Sequence, residues 1–174
     1  MNIIDINNLS ETENKYDIIK NLFDGDCLDV EFYYRSNYKN TKHLRDFVEE
    51  IGEILELSDK IKSRLVLISD ELNNNAIEYG SSEDWSNIMR INICKEGEIV
   101  NFNLEVEDDW KWREHKTALD METMRAHQLK LWYFNHDSIR WRGLFLITVK
   151  IVDRLYFRNS KNWGLIVGIR AKLA

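Results

Sequence analysis

The chain has 174 residues, of which 44% are hydrophobic and 31% are charged, so it is long enough for one globular domain with a sizeable core. Its net charge of −6 argues against a nucleic-acid-binding protein, because such proteins usually carry a basic face. The sequence has no long apolar run and no signal-peptide pattern at its N-terminus, which predicts neither a membrane-spanning helix nor a membrane partner.

The sequence of the N-terminal third predicts a polar segment, a strand and a helix. Residues 1–28 are polar and weakly periodic, and are predicted to form an N-terminal arm or an extra helix ahead of one domain at 29–174. The aromatic-rich stretch VEFYYRSNY (30–38) predicts a β-strand. An amphipathic helix follows, with Thr41 as its predicted N-cap, because apolar residues recur every three or four positions. These positions are Leu44, Phe47, Val48, Ile51 and Leu55.

The middle of the chain predicts a second helix, a hairpin and a long loop. The helix has one apolar stripe and ends at Gly80, since glycine is common at helix C-termini. The stripe consists of Ile61, Leu65, Ile68, Leu72, Ala76 and Tyr79. Alternating stretches on either side of Glu96-Gly97 predict a β-hairpin. Residues 109–140 are polar and irregular, and a loop of that length is usually functional, often as a lid (about 110–140).

The last part of the chain predicts a third helix, GLFLITVKIVDRL (143–155), and two strands, RLYFRNS and LIVGIRAKL. The inward side of the helix would carry Leu144, Ile147, Thr148, Ile151, Val152 and Leu155. Helices on one face of a mixed, mostly antiparallel sheet make an α+β fold, a two-layer α/β sandwich. Cys27 and Cys94 lie far apart without metal-ligand spacing, which predicts two reduced thiols in a cytoplasmic protein.

Polar side chains late in the second helix are the first candidates for chemistry. Glu71 and Asn75, in ISDELNNNAIEYG, are four residues apart and therefore lie on one helical face. A carboxylate there can accept a proton from an attacking hydroxyl, and an amide oxygen can bind Mg²⁺. A solvated polar face is the alternative. Three consecutive asparagines favour a functional role, because asparagine is a poor residue for a helix interior.

Three segments follow one another in chain order, with a helix, a hairpin and a long lid between them: DELNNNAIEYG (70–80), VEDDWKW (106–112) and WRGLFLI (141–147). They resemble the N-box, the D-x-G-x-G box and the G-x-G-L-F-L-I box of the GHKL ATPase superfamily (the histidine kinase and gyrase type). Within it they are similar to the bacterial anti-sigma-factor serine kinases. Tyr79 stands where histidine is common. The resemblance covers about residues 30–174 and implies a Bergerat-type ATP-binding fold.

The resemblance implies a role for each matching residue. Glu71 would be the catalytic base, Asn75 would bind magnesium beside the ATP phosphates, and Asp108 would accept a hydrogen bond from the adenine amino group. The other ATP-binding positions would be Trp110, Trp112, Trp141, Arg142, Gly143 and Leu144. Backbone N–H groups at the start of a helix favour phosphate there. Basic lid residues either contact phosphate or form a solvated charged loop: Lys116, Arg125, Lys130 and Arg140.

Tryptophan stands at glycine positions of both glycine boxes, at Trp110, Trp112 and Trp141. Glycine suits these positions because the backbone must take a positive φ or approach the ligand closely, and an indole would fill that space. The other tryptophans also occupy places where glycine is natural: Trp85, Trp132 and Trp163.

Two explanations of the tryptophans stay open. One is that the side chains are genuine, in the core or lid of a domain that has lost ATP. The other is that UGA codons were translated as tryptophan in a chain whose source reads them as glycine, as some bacterial lineages are thought to do. The composition favours the second, because seven glycines make about 4% of the chain against a typical ~7%, and adding the six tryptophans gives about 7.5%. Abundant Asn, Ile and Lys and the lack of Pro fit an AT-rich genome.

The resemblance implies an ATP-dependent serine/threonine kinase that binds a sigma factor, phosphorylates an anti-sigma antagonist protein and forms a homodimer. A non-catalytic anti-sigma or scaffold protein with a filled pocket is one alternative. A histidine kinase catalytic module acting on a separate protein is the other. One departure from the family concerns the last hairpin, where members often carry a threonine and this chain has Leu165. That departure leaves one phosphate-side contact in doubt.

Overall fold

The structure of the protein is a computed structural model that describes residues 2–10, 12–80, 86–108, 117–132, 152–161 and 164–174. Six strands form one sheet: β1 (Asn2–Asp5), β2 (Cys27–Arg35), β3 (Ser86–Glu96), β4 (Ile99–Glu107), β5 (Arg154–Asn159) and β6 (Leu165–Leu173). Four α-helices occur in the described ranges: α1 (Lys15–Lys20), α2 (Tyr38–Ile54), α3 (Asp59–Asn75) and α4 (Ala118–Trp132). None of these helices is long and apolar enough to cross a membrane.

The strands lie in the order β1-β2-β3-β4-β6-β5. β1 runs parallel to β2, and every other neighbouring pair is antiparallel. The inward-facing side chains of the sheet and the apolar stripes of α2 and α3 form one buried cluster. The predicted α+β sandwich with a mixed, mostly antiparallel sheet is confirmed.

The helix α2 begins one turn earlier than the sequence predicts. Its N-cap is Asn37, whose side chain accepts a hydrogen bond from the backbone N–H of Lys39. Thr41, the predicted cap, instead lies inside the helix and donates its hydroxyl to the carbonyl of Tyr38. The apolar stripe of the helix is confirmed, since all five predicted positions are buried.

The helix α3 carries the predicted stripe and changes pitch at its end. Four of its inward residues, from Ile61 to Leu72, are buried, as is Ala76 just beyond it. A π-helical turn, Ala76–Gly80, follows directly. Such turns leave the regular hydrogen-bond ladder and are frequent at functional sites.

The predicted hairpin is formed by β3 and β4, which are paired from Ile88–Glu107 to Glu96–Ile99. Its turn is Gly97-Glu98, one residue later than predicted. Gly97 has a φ of +62°, which a residue with a side chain rarely adopts. This glycine therefore sets the register of the whole hairpin.

The outer face of the sheet, opposite α2 and α3, is held by polar contacts between strands. Arg90 on β3 pairs with Glu31 on β2 at 2.6 Å and with Glu107 on β4 at 2.7 Å. One guanidinium thereby joins three strands. A slip of one residue in β3 would turn Arg90 into the core, so these pairs oppose a change of register.

The N-terminal residues belong to the same sheet. β1 pairs with β2 from Asn2–Val30 to Asp5–Tyr33. A 3-10 turn, Ile6–Asn8, and the helix α1 follow, and their apolar side chains are buried in the common core. The segment predicted as an arm or an extra helix thus contains a strand as well as a helix.

The region predicted as an irregular lid contains α4. Thr117 and Asp120 cap its N-terminus reciprocally: the backbone N–H of Thr117 donates to Asp120 Oδ2 (2.7 Å) and that of Asp120 donates to Thr117 Oγ1 (3.2 Å). Arg125 donates to the backbone carbonyl of Leu155 at the edge of β5 (3.0 Å) and pairs with Glu122. Arg125, which was predicted either to contact phosphate or to lie in a solvated charged loop, therefore contacts the edge of the sheet.

The predicted third helix, 143–155, lies mostly outside the described residues. Its last two residues, Arg154 and Leu155, belong to β5, so the helix does not reach the predicted end. The two final strands are confirmed as β5 and β6.

Cys27 and Cys94 form a disulfide bond between β2 and β3, so the prediction of two reduced thiols is wrong. The residues are directly opposed in the ladder, with their Cα atoms 4.1 Å apart. The N–H and carbonyl of Cys27 bond to Asp24, which makes the pair a non-hydrogen-bonded one, where opposed side chains come closest. The pairing depends on strand register, which a separation of 67 residues does not reveal.

Replacing both cysteines by serine should lower the free energy of unfolding by about 4 kcal/mol, because the bond closes a loop of 67 residues in the unfolded chain. Urea denaturation with and without reductant measures the effect. Reductant should shift the midpoint of the original chain and leave that of the Cys27→Ser/Cys94→Ser variant unchanged. An original chain that is equally stable in reductant would contradict the assignment.

Candidate functional site

Four inward-facing residues form a row across one end of the sheet. Tyr34 on β2 lies opposite Asn87 on β3. Asp108 follows the last residue of β4 and continues the row, and its backbone is bonded to Leu165 of β6. All four residues are buried. Three of the four have polar side chains, which need partners because buried polar atoms are costly when they are unpaired.

The side chain of Asp108 is held by the first residue of β6. The backbone N–H of Leu165 donates to Asp108 Oδ1 at 3.1 Å, and the N–H of Asp108 donates to the carbonyl of Leu165 at 3.0 Å. Asp108 as a whole is only 7% exposed. The structure thus places Leu165 directly against the carboxylate predicted to bind adenine.

Tyr34 connects the sheet to α3. Its hydroxyl, which is fully buried, donates to Oδ1 of Asn73 at 2.7 Å. Burial raises the pKa of Tyr34 well above its ordinary value, and the negative charge of Asp108 raises it further, so the hydroxyl stays a donor at neutral pH. The Asn73 amide nitrogen faces Ser69 Oγ at 3.2 Å and Met89 Sδ at 3.1 Å.

The contacts that hold the Asn73 side chain also fix the direction in which the side chains of Glu71 and Asn75 leave α3. At about 100° per residue, these two side chains lie within roughly 40° of each other and about 160° from Asn73. Both are half-buried. A rotation of α3 that moved them would also pull Asn73 away from Tyr34. The predicted shared face of Glu71 and Asn75 is therefore fixed from the opposite side of the helix.

The Glu71 carboxyl has the environment of a proton acceptor. Burial raises its pKa above the ordinary value, and the neighbouring charge of Asp70 raises it further. Asp70 itself is engaged by Arg45 of α2 through a two-nitrogen contact. Among the described residues, none forms a hydrogen bond or ion pair with Glu71.

Two of the described site residues carry chemical groups that suit parts of a magnesium-bound nucleotide. Asp108 offers a buried acceptor, which suits an amino group of a base. Asn75 offers an amide oxygen, which magnesium accepts as one of six ligands. The predicted phosphate-side positions lie outside the described residues: Trp110, Trp112, Trp141, Arg142, Gly143 and Leu144.

Sequence reasoning missed three buried members of this site, Tyr34, Asn73 and Asn87. Asn73 had a readable signal, because Ser69 and Asn73 continue the inward line of Leu65 at steps of four with polar side chains. Asn87, which donates to Ser36 Oγ at 2.9 Å, breaks an otherwise apolar alternation in β3. The partner of Tyr34 had no local signal, since Tyr34 and Asn73 lie 39 residues apart.

Removing the Tyr34 hydroxyl should leave the Asn73 amide oxygen buried without its donor. We expect Tyr34→Phe to lower the free energy of unfolding by about 1–3 kcal/mol in urea denaturation. Tyr33→Phe is the matched control. Its hydroxyl contacts Glu31 on the outer face, and Glu31 keeps Arg90 as a partner. Equal losses in the two variants would contradict the role given to Tyr34.

Residues 34–170 match the histidine kinase-like ATPase domain. A search of curated protein sequences finds no significant match to the chain. The matched segment starts at Tyr34 and includes α3, Asp108 and nearly all of β6, so it contains every described residue of the site. Because the match covers well over half of the sequence, the chain belongs to the histidine kinase-like ATPase domain family, whose members bind ATP.

Proposed function

We propose that the protein is an ATP-dependent serine/threonine kinase of the anti-sigma-factor type, which phosphorylates an anti-sigma antagonist protein and binds a sigma factor. Family membership supports the ATP-binding part of this proposal. The observation that carries it is the buried Tyr34, which contacts the helix of Glu71 and Asn75 and lies in one row with Asp108. The kinase subtype rests on the resemblance of the three motifs.

Each described site residue has one task in this proposal. Asp108 accepts a hydrogen bond from the adenine amino group, and Asn75 holds the magnesium ion. Glu71 accepts the proton of a seryl hydroxyl. At the same time the seryl oxygen forms a bond to the γ-phosphorus of ATP, and the bond between that phosphorus and the oxygen that leaves with ADP breaks. Magnesium, when bound, neutralises phosphate charge.

One tryptophan has described neighbours that suit glycine. The backbone N–H of Ser160 donates to the carbonyl of Gly164 at 2.8 Å, and three residues of sequence, the last of which is Trp163, separate these two positions. Hairpin connections of three residues commonly have glycine at the third position. This spacing supports the proposal that position 163 is glycine in the natural protein.

Magnesium-ATP binding measured by calorimetry tests the pocket and the tryptophans together. The chain as written, which carries the six tryptophans, is compared with a variant that has glycine at all six positions. Indoles at 110 and 112 would fill the space for the nucleotide. We expect only the glycine variant to bind, and Asp108→Asn in that background to weaken binding. Equal binding by the written chain would overturn the recoding proposal. Failure of both forms to bind would overturn the kinase proposal and leave the scaffold function.

The second measurement is ADP formation by the binding-competent form. Glu71→Gln should slow it by about 10²–10⁴-fold and leave nucleotide affinity unchanged, because the amide cannot accept the proton. Glu49→Gln, on the exposed side of α2, is the matched control. Since the pKa of Glu71 is raised, activity should fall as the pH drops through a value above that of an ordinary glutamate. An unchanged rate in Glu71→Gln would remove the proposed base.

The phosphorylated residue distinguishes the serine kinase from a histidine kinase module. Phosphoserine survives acid, whereas phosphohistidine is hydrolysed. Transfer from labelled ATP to a candidate antagonist protein, followed by acid treatment, should leave the label in place. Loss of the label in acid would favour the histidine kinase alternative.

A further inference from the structure

The outer face of β5 and β6 carries a group of basic side chains, on the side of the sheet opposite α3. The group, termed here the β5–β6 basic patch, consists of Arg154, Arg158, Arg170 and Lys172. All four are exposed, in a chain whose net charge is −6. The patch therefore opposes the charge of the molecule as a whole.

Tyr156 organises the patch. Its ring lies across Gly168, where an added Cβ would come within 2.3 Å of the ring, so glycine is required for this close approach. The guanidinium carbons of Arg154, Arg158 and Arg170 lie 5.7–5.9 Å from the ring centroid. Cations at this distance are attracted by the face of an aromatic ring. The arginines therefore surround a common centre.

The Tyr156 hydroxyl fixes the ring from the other end. It donates to Glu105 at 2.6 Å and lies 3.0 Å from the oxygen of Asn103. Burial, and then the contact with Glu105, raise the pKa of Tyr156 to about 12, so the hydroxyl remains a donor at neutral pH. Glu105 is also engaged by Arg158. The Glu105 carboxylate is thus already paired with Arg158 and Tyr156.

The charges of the patch are not balanced within the described part of the chain. Arg154 and Arg170 are directly opposed in the ladder between β5 and β6, and opposed like charges destabilise a sheet. Within that part, neither forms an ion pair, and Lys172 forms none either. Asp153 accepts a hydrogen bond from the backbone N–H of Lys172. An external anion would relieve the repulsion.

We propose that the β5–β6 basic patch docks an acidic segment of a partner protein, whose carboxylates pair with Arg154, Arg170 and Lys172. Arginine binds carboxylates through two parallel hydrogen bonds, and Arg and Tyr are enriched at protein interfaces. Side chains on one face of a strand recur about every 7 Å, so a segment with regularly spaced Asp or Glu matches the patch. Nucleic acid is disfavoured by the net charge of −6. This surface is separate from the nucleotide site.

The test uses fluorescence anisotropy with a labelled oligoglutamate peptide at low salt, in the full chain. We expect binding that weakens as salt is raised, because exposed charges are screened beyond a Debye length of about 8 Å at physiological ionic strength. Arg154→Glu/Arg170→Glu should raise the Kd for the peptide at least about tenfold.

The matched control is Lys42→Glu/Lys60→Glu, which changes the net charge equally at exposed positions on α2 and α3. It should raise the Kd less than about threefold, since it acts only through the overall field. Circular dichroism establishes that both variants are folded. The proposal is overturned if the peptide does not bind at low salt, if the two variants weaken it equally, or if a single-stranded oligonucleotide binds more tightly than the peptide.

Discussion

The buried hydrogen bond from the Tyr34 hydroxyl to the Asn73 amide oxygen fixes how α3 lies on the sheet. The two groups are excluded from water, so each depends on the other for its partner. Turning the helix by one residue would rotate Asn73 by about 100° and break the contact. The orientation of Glu71 and Asn75 and the position of α3 over the row with Asp108 follow from this single contact. The apolar stripe of α3 alone tolerates small rotations, whereas a hydrogen bond of 2.7 Å does not.

The two faces of the sheet are stabilised by different interactions. The inner face packs on α2 and α3 through apolar side chains. The outer face uses charge pairs between neighbouring strands, of which the contacts of Arg90 with Glu31 and Glu107 are the clearest. A polar face of this kind maintains strand register and still leaves the outer surface of the sheet available for binding. The proposed nucleotide site and the basic patch can therefore lie on opposite sides of one sheet without competing for residues.

Much of the fold was predictable because it depends on local periodicity. The stripes of α2 and α3, the hairpin and the last two strands follow from spacing along the chain. Local signals were also misjudged. Asn37 competes with Thr41 as a cap, and the Thr117–Asp120 pair was a readable start for α4. The disulfide and the partner of Tyr34 could not be predicted, since both depend on the register between distant segments.

The two hydrogen bonds between Asp108 and the backbone of Leu165 determine when the site can form. β6 follows β5 in the sequence but lies between β4 and β5 in the sheet. During synthesis, β5 is made before the strand it pairs with, and Asp108 is made 57 residues before the backbone that holds it. Domains fold as units once their segments are available. A nascent chain therefore cannot hold the Asp108 carboxylate against the backbone of Leu165 until β6 has been synthesised.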